Sequence, residues 1–140
     1  MGDARPTARR RQRVLAVEDD PVVSESFKTL LELLGNEVCA VMSGAAALDA
    51  ARAFRPDIAF IDIDLPGVDG YEVAARLREE HGRRIRLYAL TGFARPADRE
   101  RALSAGFDVH IVKPVDIAVL KALLAEDEAE PGSGTRHSPP

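Results

Sequence analysis

The chain has no tryptophan, a single cysteine and few aromatic residues of any kind. With 5% aromatic residues in 140, its core must be built mainly from aliphatic side chains. The lone Cys39 excludes an internal disulfide and a cysteine-based zinc cluster, and its apolar surroundings at 38–41 predict a buried, inert thiol. No apolar run approaches the roughly 18 residues that cross a bilayer, and no signal-peptide segment follows the N-terminal arginines. These absences predict a cytoplasmic protein without membrane contact.

A strong net charge is also missing. The value of −4 at pH 7 does not favour general binding to polyanions. Charge is uneven along the chain, however, because five arginines lie within 5–13 and acidic residues dominate 126–130. The low hydrophobicity of residues 1–12 predicts a disordered basic arm, and the composition of 126–140 predicts a flexible tail. We expect the arm to be solvated, with no nucleic-acid or membrane binding.

The remaining stretch, 13–125, has the length of one domain. Within it, short apolar runs alternate with helical patterns. Strands are predicted near 14–17, 37–42, 57–61, 85–90 and 109–112. Helices are predicted near 22–34, 43–54, 71–81, 96–106 and 116–125. Five β-α units joined by short loops predict a doubly wound α/β fold with a parallel sheet.

Local signals predict several helix ends. Asp20 followed by Pro21 is typical of a helix start, and Gly35 is typical of a helix end. Ser43 and Asp69 are predicted to cap the second and third helices. One face of the first helix is apolar, at Val23, Phe27, Leu30, Leu31 and Leu34.

Four of the apolar runs stop at polar, reactive residues. The residues that follow or end them are Glu18 and Asp19, then Asp62, Thr91 and Lys113. Since the carboxyl ends of parallel strands share one edge of a sheet, we expect these side chains to converge. Two bare carboxylates about 4 Å apart repel by roughly 4 kcal/mol at an effective dielectric near 20. A bound cation is therefore needed to stabilise the cluster. Mg²⁺ prefers such oxygen ligands, and a hydroxyl and an ammonium beside it suit a phosphoryl group.

Each of these signals is weak when it is taken alone. The acidic residues could serve as helix caps or loop residues, Thr91 could merely end a strand, and a lysine before a proline carries little information. The acidic positions open to that interpretation are Asp19, Asp20, Asp64 and Asp69. Only the repeated placement at strand ends favours a site.

Four segments together resemble the receiver domain of response regulators, the phosphoacceptor module of two-component signalling. They are VLAVEDDP at 14–21, AFIDIDLPGVDGYEV at 59–73, ALTGF at 89–93 and AGFDVHIVKPV at 105–115. The order and spacing of the motifs match the family across nearly the whole predicted domain. The resemblance implies a flavodoxin-like fold, with five parallel strands in the order 2-1-3-4-5 and five helices.

The resemblance also implies roles for the acidic residues. Asp62 would be the phosphoacceptor, attacking the phosphorus of a phosphohistidine in line. Asp19 would bind Mg²⁺ directly and Glu18 largely through water, while the carbonyl of Ile63 would complete the protein's share of the metal shell.

Other positions would handle the phosphoryl group and the response to it. Lys113, joined to Pro114 by a cis peptide bond, would pair with the phosphoryl oxygens, and Thr91 would hydrogen-bond to them after transfer. His110 occupies the position of an aromatic switch residue, usually tyrosine or phenylalanine, and its imidazole introduces a group that titrates near neutral pH. Asp64, two residues after the acceptor, makes the dephosphorylation rate a property that the family does not predict.

The expected partners are proteins. A histidine kinase or a histidine phosphotransfer protein would donate the phosphoryl group, and the fourth helix, fifth strand and fifth helix would bind a downstream protein. Because Met1 opens the chain and only about 15 residues follow the last predicted helix, we expect a stand-alone regulator, monomeric or weakly dimeric. The segment at 106–110 also resembles receivers of hybrid histidine kinases.

Two other functions fit parts of the sequence less well. Asp62 and Asp64 resemble the Asp-x-Asp motif of haloacid-dehalogenase phosphatases, but that family places its nucleophile on the first strand and its acidic pair last. A degenerate receiver that only binds partners is the second alternative, and the full set of site residues argues against it. We therefore expect a domain that is phosphorylated once and is not a turnover enzyme.

Overall fold

The computed structural model describes residues 11–65, 69–92 and 95–129. The strands in this part of the chain are β1 (Arg13–Val17), β2 (Glu37–Val41), β3 (Ile58–Asp62), β4 (Arg86–Thr91) and β5 (Val109–Val112). The α-helices there are α1 (Pro21–Leu33), α2 (Gly44–Phe54), α3 (Gly70–His81), α4 (Pro96–Ala105) and α5 (Ile117–Ala129). A short 3₁₀ turn, Gly82–Arg84, follows α3. None of the described helices has the length and apolar character that a bilayer-spanning segment needs.

The five strands of the described chain form one sheet in the order β2-β1-β3-β4-β5, and every pairing is parallel. Parallel neighbours require a crossover, and each crossover here contains a helix. The chain reverses direction across the sheet between β1 and β3, where doubly wound sheets form their binding crevice. The predicted fold class and strand order are confirmed.

Alternate residues of the central strands supply two cores, one on each face of the sheet. One core holds Leu15, Ile61 and Leu87 under α2 and α3, with Ala102 of α4 at its side. The other core lies under α1 and α5 and is centred on Phe60, whose ring makes edge-to-face contacts with two neighbouring aromatic rings. Successive side chains of a strand point to opposite faces of the sheet, and both faces are covered by helices here. Each strand therefore appears in the sequence as a continuous apolar run.

The predicted caps are confirmed. Asp20 accepts hydrogen bonds from the backbone N–H groups of Val22 and Val23 at 2.9 and 3.2 Å. Ser43 and Asp69 cap α2 and α3 through their side chains. α4 ends at Gly106, whose φ of 112° is readily adopted only by glycine. These caps place the first turns of α1 and α3 beside the carboxyl ends of the strands.

Two strands extend one residue further than predicted. β3 includes Asp62 and β4 includes Thr91, because both residues still pair with the neighbouring strand in register. From composition alone, a polar residue at the end of an apolar run is assigned to the loop that follows the strand. These two are instead held by the rigid sheet.

The chain termini also differ from the prediction. α5 continues to Ala129 rather than ending at residue 125, since the alanine and glutamate residues that follow favour a helix. At the other end, Gln12 belongs to the predicted arm but is 7% exposed, and its carbonyl accepts a hydrogen bond from Glu37 N. Residues 1–10 of the arm and the residues after 129 lie outside the described chain.

Two side chains are more exposed than expected. Val23 is 45% exposed, whereas the neighbouring Ser24 is buried, so the first turns of α1 present Ser24 rather than Val23 to the protein interior. Cys39, predicted to be buried, is only partly buried because its strand β2 lies at the edge of the sheet. It is a free thiol packed against the core.

Candidate functional site

The carboxyl edge of the sheet brings three carboxylates together. Glu18 and Asp19 follow β1, and Asp62 is the last residue of the adjacent strand β3. One carboxylate oxygen from each lies within 4.8 Å of the other two. Glu18 and Asp62 are buried, at 5% and 3% exposure, whereas Asp19 is exposed. The convergence predicted for these three residues is therefore present in the structure.

Lys113 reaches the same cluster from the end of β5. Its Nζ atom lies 3.2 Å from Asp62 Oδ2 and 3.7 Å from Glu18 Oε1. Burial lowers the pKa of the ammonium, but the neighbouring Asp62, with Glu18 and Asp64, outweighs burial and holds the pKa above its ordinary value. The lysine is therefore charged at any physiological pH.

One lysine does not neutralise three carboxylates. Burial, followed by the charge of Asp62, raises the pKa of Glu18, although the Asp20 N–H and Lys113 act in the opposite direction. The negative charge of the three carboxylates thus exceeds the positive charge that neighbouring residues supply. Oxygen donors with uncompensated charge suit a hard divalent cation such as Mg²⁺.

Neighbouring acidic residues perform different tasks here. Asp20 is the N-cap of α1, whereas Asp19 is part of the acidic cluster. Glu18 Oε2 accepts a hydrogen bond from Asp20 N at 3.2 Å, which fixes the turn between β1 and α1. The alternative that both aspartates are only caps is therefore correct for Asp20 alone.

The loop after Asp62 is fixed against the start of α3. Asp62 Oδ1 accepts a hydrogen bond from Asp64 N at 3.0 Å, and the Ile63 carbonyl accepts one from Gly70 N at 3.3 Å. A Cβ atom on Gly70 would lie 2.7 Å from Ile63 Cα and 2.8 Å from the Asp62 carbonyl oxygen. Sequence reasoning indicates only a helix start at Gly70 and misses this contact. The carbonyl of Ile63 keeps a second lone pair that is available for a ligand.

Thr91 is the last residue of β4, and Lys113 directly follows the neighbouring strand β5. Thr91 is 3% exposed, and its carbonyl accepts a hydrogen bond from Lys113 N at 2.7 Å. The peptide bond from Lys113 to Pro114 is cis, as the resemblance implies. The two residues are thus placed side by side at the edge that carries the carboxylates. The expected motif residue Phe93 lies outside the described chain.

His110 lies on β5, three residues before Lys113, with its side chain partly buried against α4. Its Nε2 atom is buried and has no hydrogen-bond partner among the described residues. Burial lowers the pKa of the imidazole, against the opposing charge of Asp98 on α4. The ring is therefore neutral at pH 7, like the aromatic residues usual at this position.

Comparison with known proteins identifies the family. The family model of the response regulator receiver domain matches residues 14–125. The chain belongs to this family. It is 41% identical over 111 residues to the transcriptional regulatory protein CseB of Streptomyces coelicolor, covering 79% of this chain and 47% of CseB. It is 39% identical over 105 residues to the polar-differentiation response regulator DivK of Brucella ovis, covering 74% of this chain and 85% of DivK.

Solved structures agree with this assignment. A CheY-like response regulator receiver domain protein from Methanospirillum hungatei JF-1 superposes with a TM-score of 0.80 at 28% identity, covering 86% of this chain and 96% of that one. The chain spans about half the length of CseB, so it matches only a part of that regulator. The receiver domain is therefore a module of two-component signal transduction, and the resemblance drawn from four sequence motifs is confirmed.

Proposed function

We propose that this receiver domain accepts a phosphoryl group on Asp62, in a Mg²⁺-dependent reaction, from a histidine kinase or a histidine phosphotransfer protein. The observation that carries the proposal is the cluster of three carboxylates within 4.8 Å with Lys113 Nζ 3.2 Å from Asp62. The unit that performs this reaction would be residues 13–125, with the basic arm and the C-terminal tail outside it.

The acidic residues are the ones that would hold the metal ion. Asp19 and Asp62 would bind it directly, Glu18 through water, and the Ile63 carbonyl would supply a fourth oxygen. Mg²⁺ bound there would neutralise charge on the transferring phosphoryl oxygens. The raised pKa of Glu18, caused first by burial and then by the charge of Asp62, supports this role, because a nearby divalent cation would stabilise the buried carboxylate.

Asp62 would act as the nucleophile. A carboxylate needs no deprotonation near neutral pH. One of its oxygens would form the new bond to phosphorus while the phosphorus–nitrogen bond of the phosphohistidine breaks. The electron pair of that bond would stay on the imidazole nitrogen, which takes up a proton. The distance of 3.2 Å between Lys113 Nζ and Asp62 Oδ2 supports a role of the ammonium in pairing with the phosphoryl oxygens, and no further base would be required.

The added charge would then reposition the surface beyond the site. An aspartyl phosphate carries close to two negative charges at a buried position where the carboxylate carried one. We expect the Thr91 hydroxyl to hydrogen-bond to it, drawing the segment after β4 toward Asp62, with His110 following. The surface formed by α4, β5 and α5 would transmit the change to a downstream protein. It carries exposed apolar side chains suited to such binding, namely Leu103, Val112, Ile117 and Val119.

Intact-protein mass spectrometry after incubation with acetyl phosphate tests the proposal. We expect one phosphoryl adduct in the presence of Mg²⁺, none in EDTA, none on Asp62→Asn, and loss of the adduct with hydroxylamine. Asp49→Asn on α2 is a matched control, since its side chain is 82% exposed and is not part of the carboxylate cluster. The control should be modified like the wild type.

Other outcomes would favour the alternatives. If no adduct forms with acetyl phosphate or with a phosphorylated histidine phosphotransfer protein, the domain is a phosphorylation-independent binding module. Repeated turnover of p-nitrophenyl phosphate would instead indicate a phosphatase with Asp62 as nucleophile. A receiver is not expected to turn over this phosphate ester.

A further inference from the structure

A side chain of α4 contacts the first turn of α3, next to the acceptor loop. Arg101 Nη2 lies 3.0 Å from Asp69 Oδ2, and the guanidinium carbon lies 4.2 Å from the centre of the Tyr71 ring. The Tyr71 ring also makes an edge-to-face contact with Phe107, the residue after the α4 C-cap. One arginine thus makes an ion pair and a cation–π contact across two helices.

Asp69 and Tyr71 are connected rigidly to the acceptor. Asp69 Oδ1 accepts a hydrogen bond from Tyr71 N at 2.7 Å, capping α3. Gly70, between them, lies so close to the backbone of Asp62 and Ile63 that no Cβ atom would fit. Its N–H donates to the Ile63 carbonyl. The Arg101 contacts therefore join α4 to the same backbone that presents Asp62.

Among the described residues, α4 buries little of its surface, and its other contacts include a hydrogen bond from the Tyr71 hydroxyl to the Asp98 carbonyl at 3.5 Å. Ala102 is the buried residue of this helix in the structure, and Leu103 is 42% exposed. Arg101 is itself 60% exposed, so its ion pair and its stacking on Tyr71 are modest in strength. Contacts of this size can bias a helix between two positions without locking it.

We propose that Arg101 is a positioning residue that holds α4 against the start of α3 in the unphosphorylated domain, and thereby opposes activation. The inference rests on the proposed phosphorylation of Asp62. Movement of Thr91 toward a phosphoryl group draws the segment before α4, whereas the Arg101 contacts hold α4 in its resting position. Because the two effects are linked, removing Arg101 favours the state that binds the phosphoryl group more tightly.

Beryllofluoride with Mg²⁺ mimics the phosphoryl group without covalent chemistry, so its affinity measures this balance at equilibrium. In calorimetric titration of the full chain, Arg101→Gln is expected to bind beryllofluoride about fivefold more tightly than the wild type. Arg76→Gln on α3 is the matched control, because that arginine is similarly exposed and pairs only weakly, at 3.7 Å, within its own helix. It should match the wild type within about twofold.

Asp69→Asn removes the charge that faces Arg101 and keeps a good helix cap. This substitution should also raise the affinity for beryllofluoride. In the double variant with Arg101→Gln, the gain in binding free energy should be smaller than the sum of the two single gains. A merely structural contribution would lower thermal stability without tightening beryllofluoride binding. Equal affinity in wild type and Arg101→Gln, or weaker binding by the variant, would overturn the proposal.

Failure of the proposed function would look different. In that case the wild type itself would not bind beryllofluoride, and hydrogen exchange of the α4 backbone would then test Arg101. Faster exchange across 96–105 in Arg101→Gln, but not in Arg76→Gln, would support its hold on α4. Unchanged exchange would overturn it.

Discussion

Lys113 Nζ lies 3.2 Å from Asp62 Oδ2, although the two residues are 51 positions apart and strand β4 stands between their strands. The lysine side chain therefore reaches across β4 to the proposed acceptor. It also lies 3.7 Å from Glu18, so it is the cation nearest to the acidic cluster in the described part of the chain.

Lys113→Gln is expected to separate metal binding from phosphoryl transfer. Loss of a positive charge beside the cluster should tighten Mg²⁺ binding about fivefold. The adduct formed from acetyl phosphate should fall at least about tenfold, since no ammonium then meets the phosphoryl oxygens. Calorimetry and intact mass measure the two effects. Lys121→Gln, exposed on α5, is the control, and weaker Mg²⁺ binding by Lys113→Gln would contradict the geometry.

Asp20→Ala should destabilise the domain by about 1 kcal/mol, because it removes the cap of α1. Its phosphorylation rate should stay within about twofold of the wild type, since the cap lies outside the carboxylate cluster. Urea unfolding and intact mass give the two readouts. An adduct lost together with the cap would show that Asp20 is part of the reacting site.

The adjacent substitution Asp19→Asn should have the opposite effect on stability. In EDTA we expect it to stabilise the fold by a few tenths to about 1 kcal/mol, because it removes one repelling carboxylate. Added Mg²⁺ should reverse the order, since only the wild type keeps its full set of ligands. Urea unfolding with and without Mg²⁺ measures this. A variant less stable than the wild type in EDTA would argue against repulsion in the cluster.

Gly70→Ala should destabilise the domain by roughly 2 kcal/mol and slow phosphorylation. The added methyl would press on the backbone of Asp62 and Ile63, neither of which can move without displacing β3. Gly92→Ala is a suitable control near the same edge, because a Cβ atom added there would have nothing within 4 Å. Urea unfolding and the rate of adduct formation test both variants, and equal stability of the two would refute the close contact.

His110 predicts a pH dependence of stability. Burial holds its pKa below the ordinary value in the folded chain, so below about pH 6.5 the unfolded chain binds more protons than the folded one. Stability should therefore fall as the pH drops from about 6.5 to the lowered pKa, and not above that window. His110→Phe should lack this loss. Urea unfolding near pH 7.5 and near pH 5 measures the two free energies of unfolding. If the difference between variant and wild type is the same at the two pH values, the prediction is wrong.

The positions of Asp62, Thr91 and Lys113 at one edge were predictable from sequence. Each ends an apolar run, and parallel strands bring such ends together whatever their separation in the chain. The different positions of Asp19 and Asp20 were predicted only by combining two signals. Pro21 indicates that Asp20 is the helix cap, and the family resemblance implies that Asp19 belongs to the metal site.

The contacts of Arg101 could not be anticipated. Asp69 lies 32 residues earlier, and no periodic pattern links a charged residue of one surface helix to the cap of another. The exposure of Val23 had a similar origin, since an apolar stripe on α1 does not reveal which side of its first turns is buried by tertiary packing. Sequence patterns predicted which elements form and which strand ends converge, and they failed for side-chain contacts between surface helices.

The small buried surface of α4 also affects how the binding partners of such domains can change in evolution. A helix with Ala102 as its buried residue can exchange most of its surface side chains at small cost in folding free energy, because surface substitutions rarely change stability much. A duplicated gene could therefore acquire a new binding partner through this helix while the acidic cluster keeps its chemistry. Partner specificity would thus change at α4, while the proposed reaction is preserved at the acidic cluster of the same small fold.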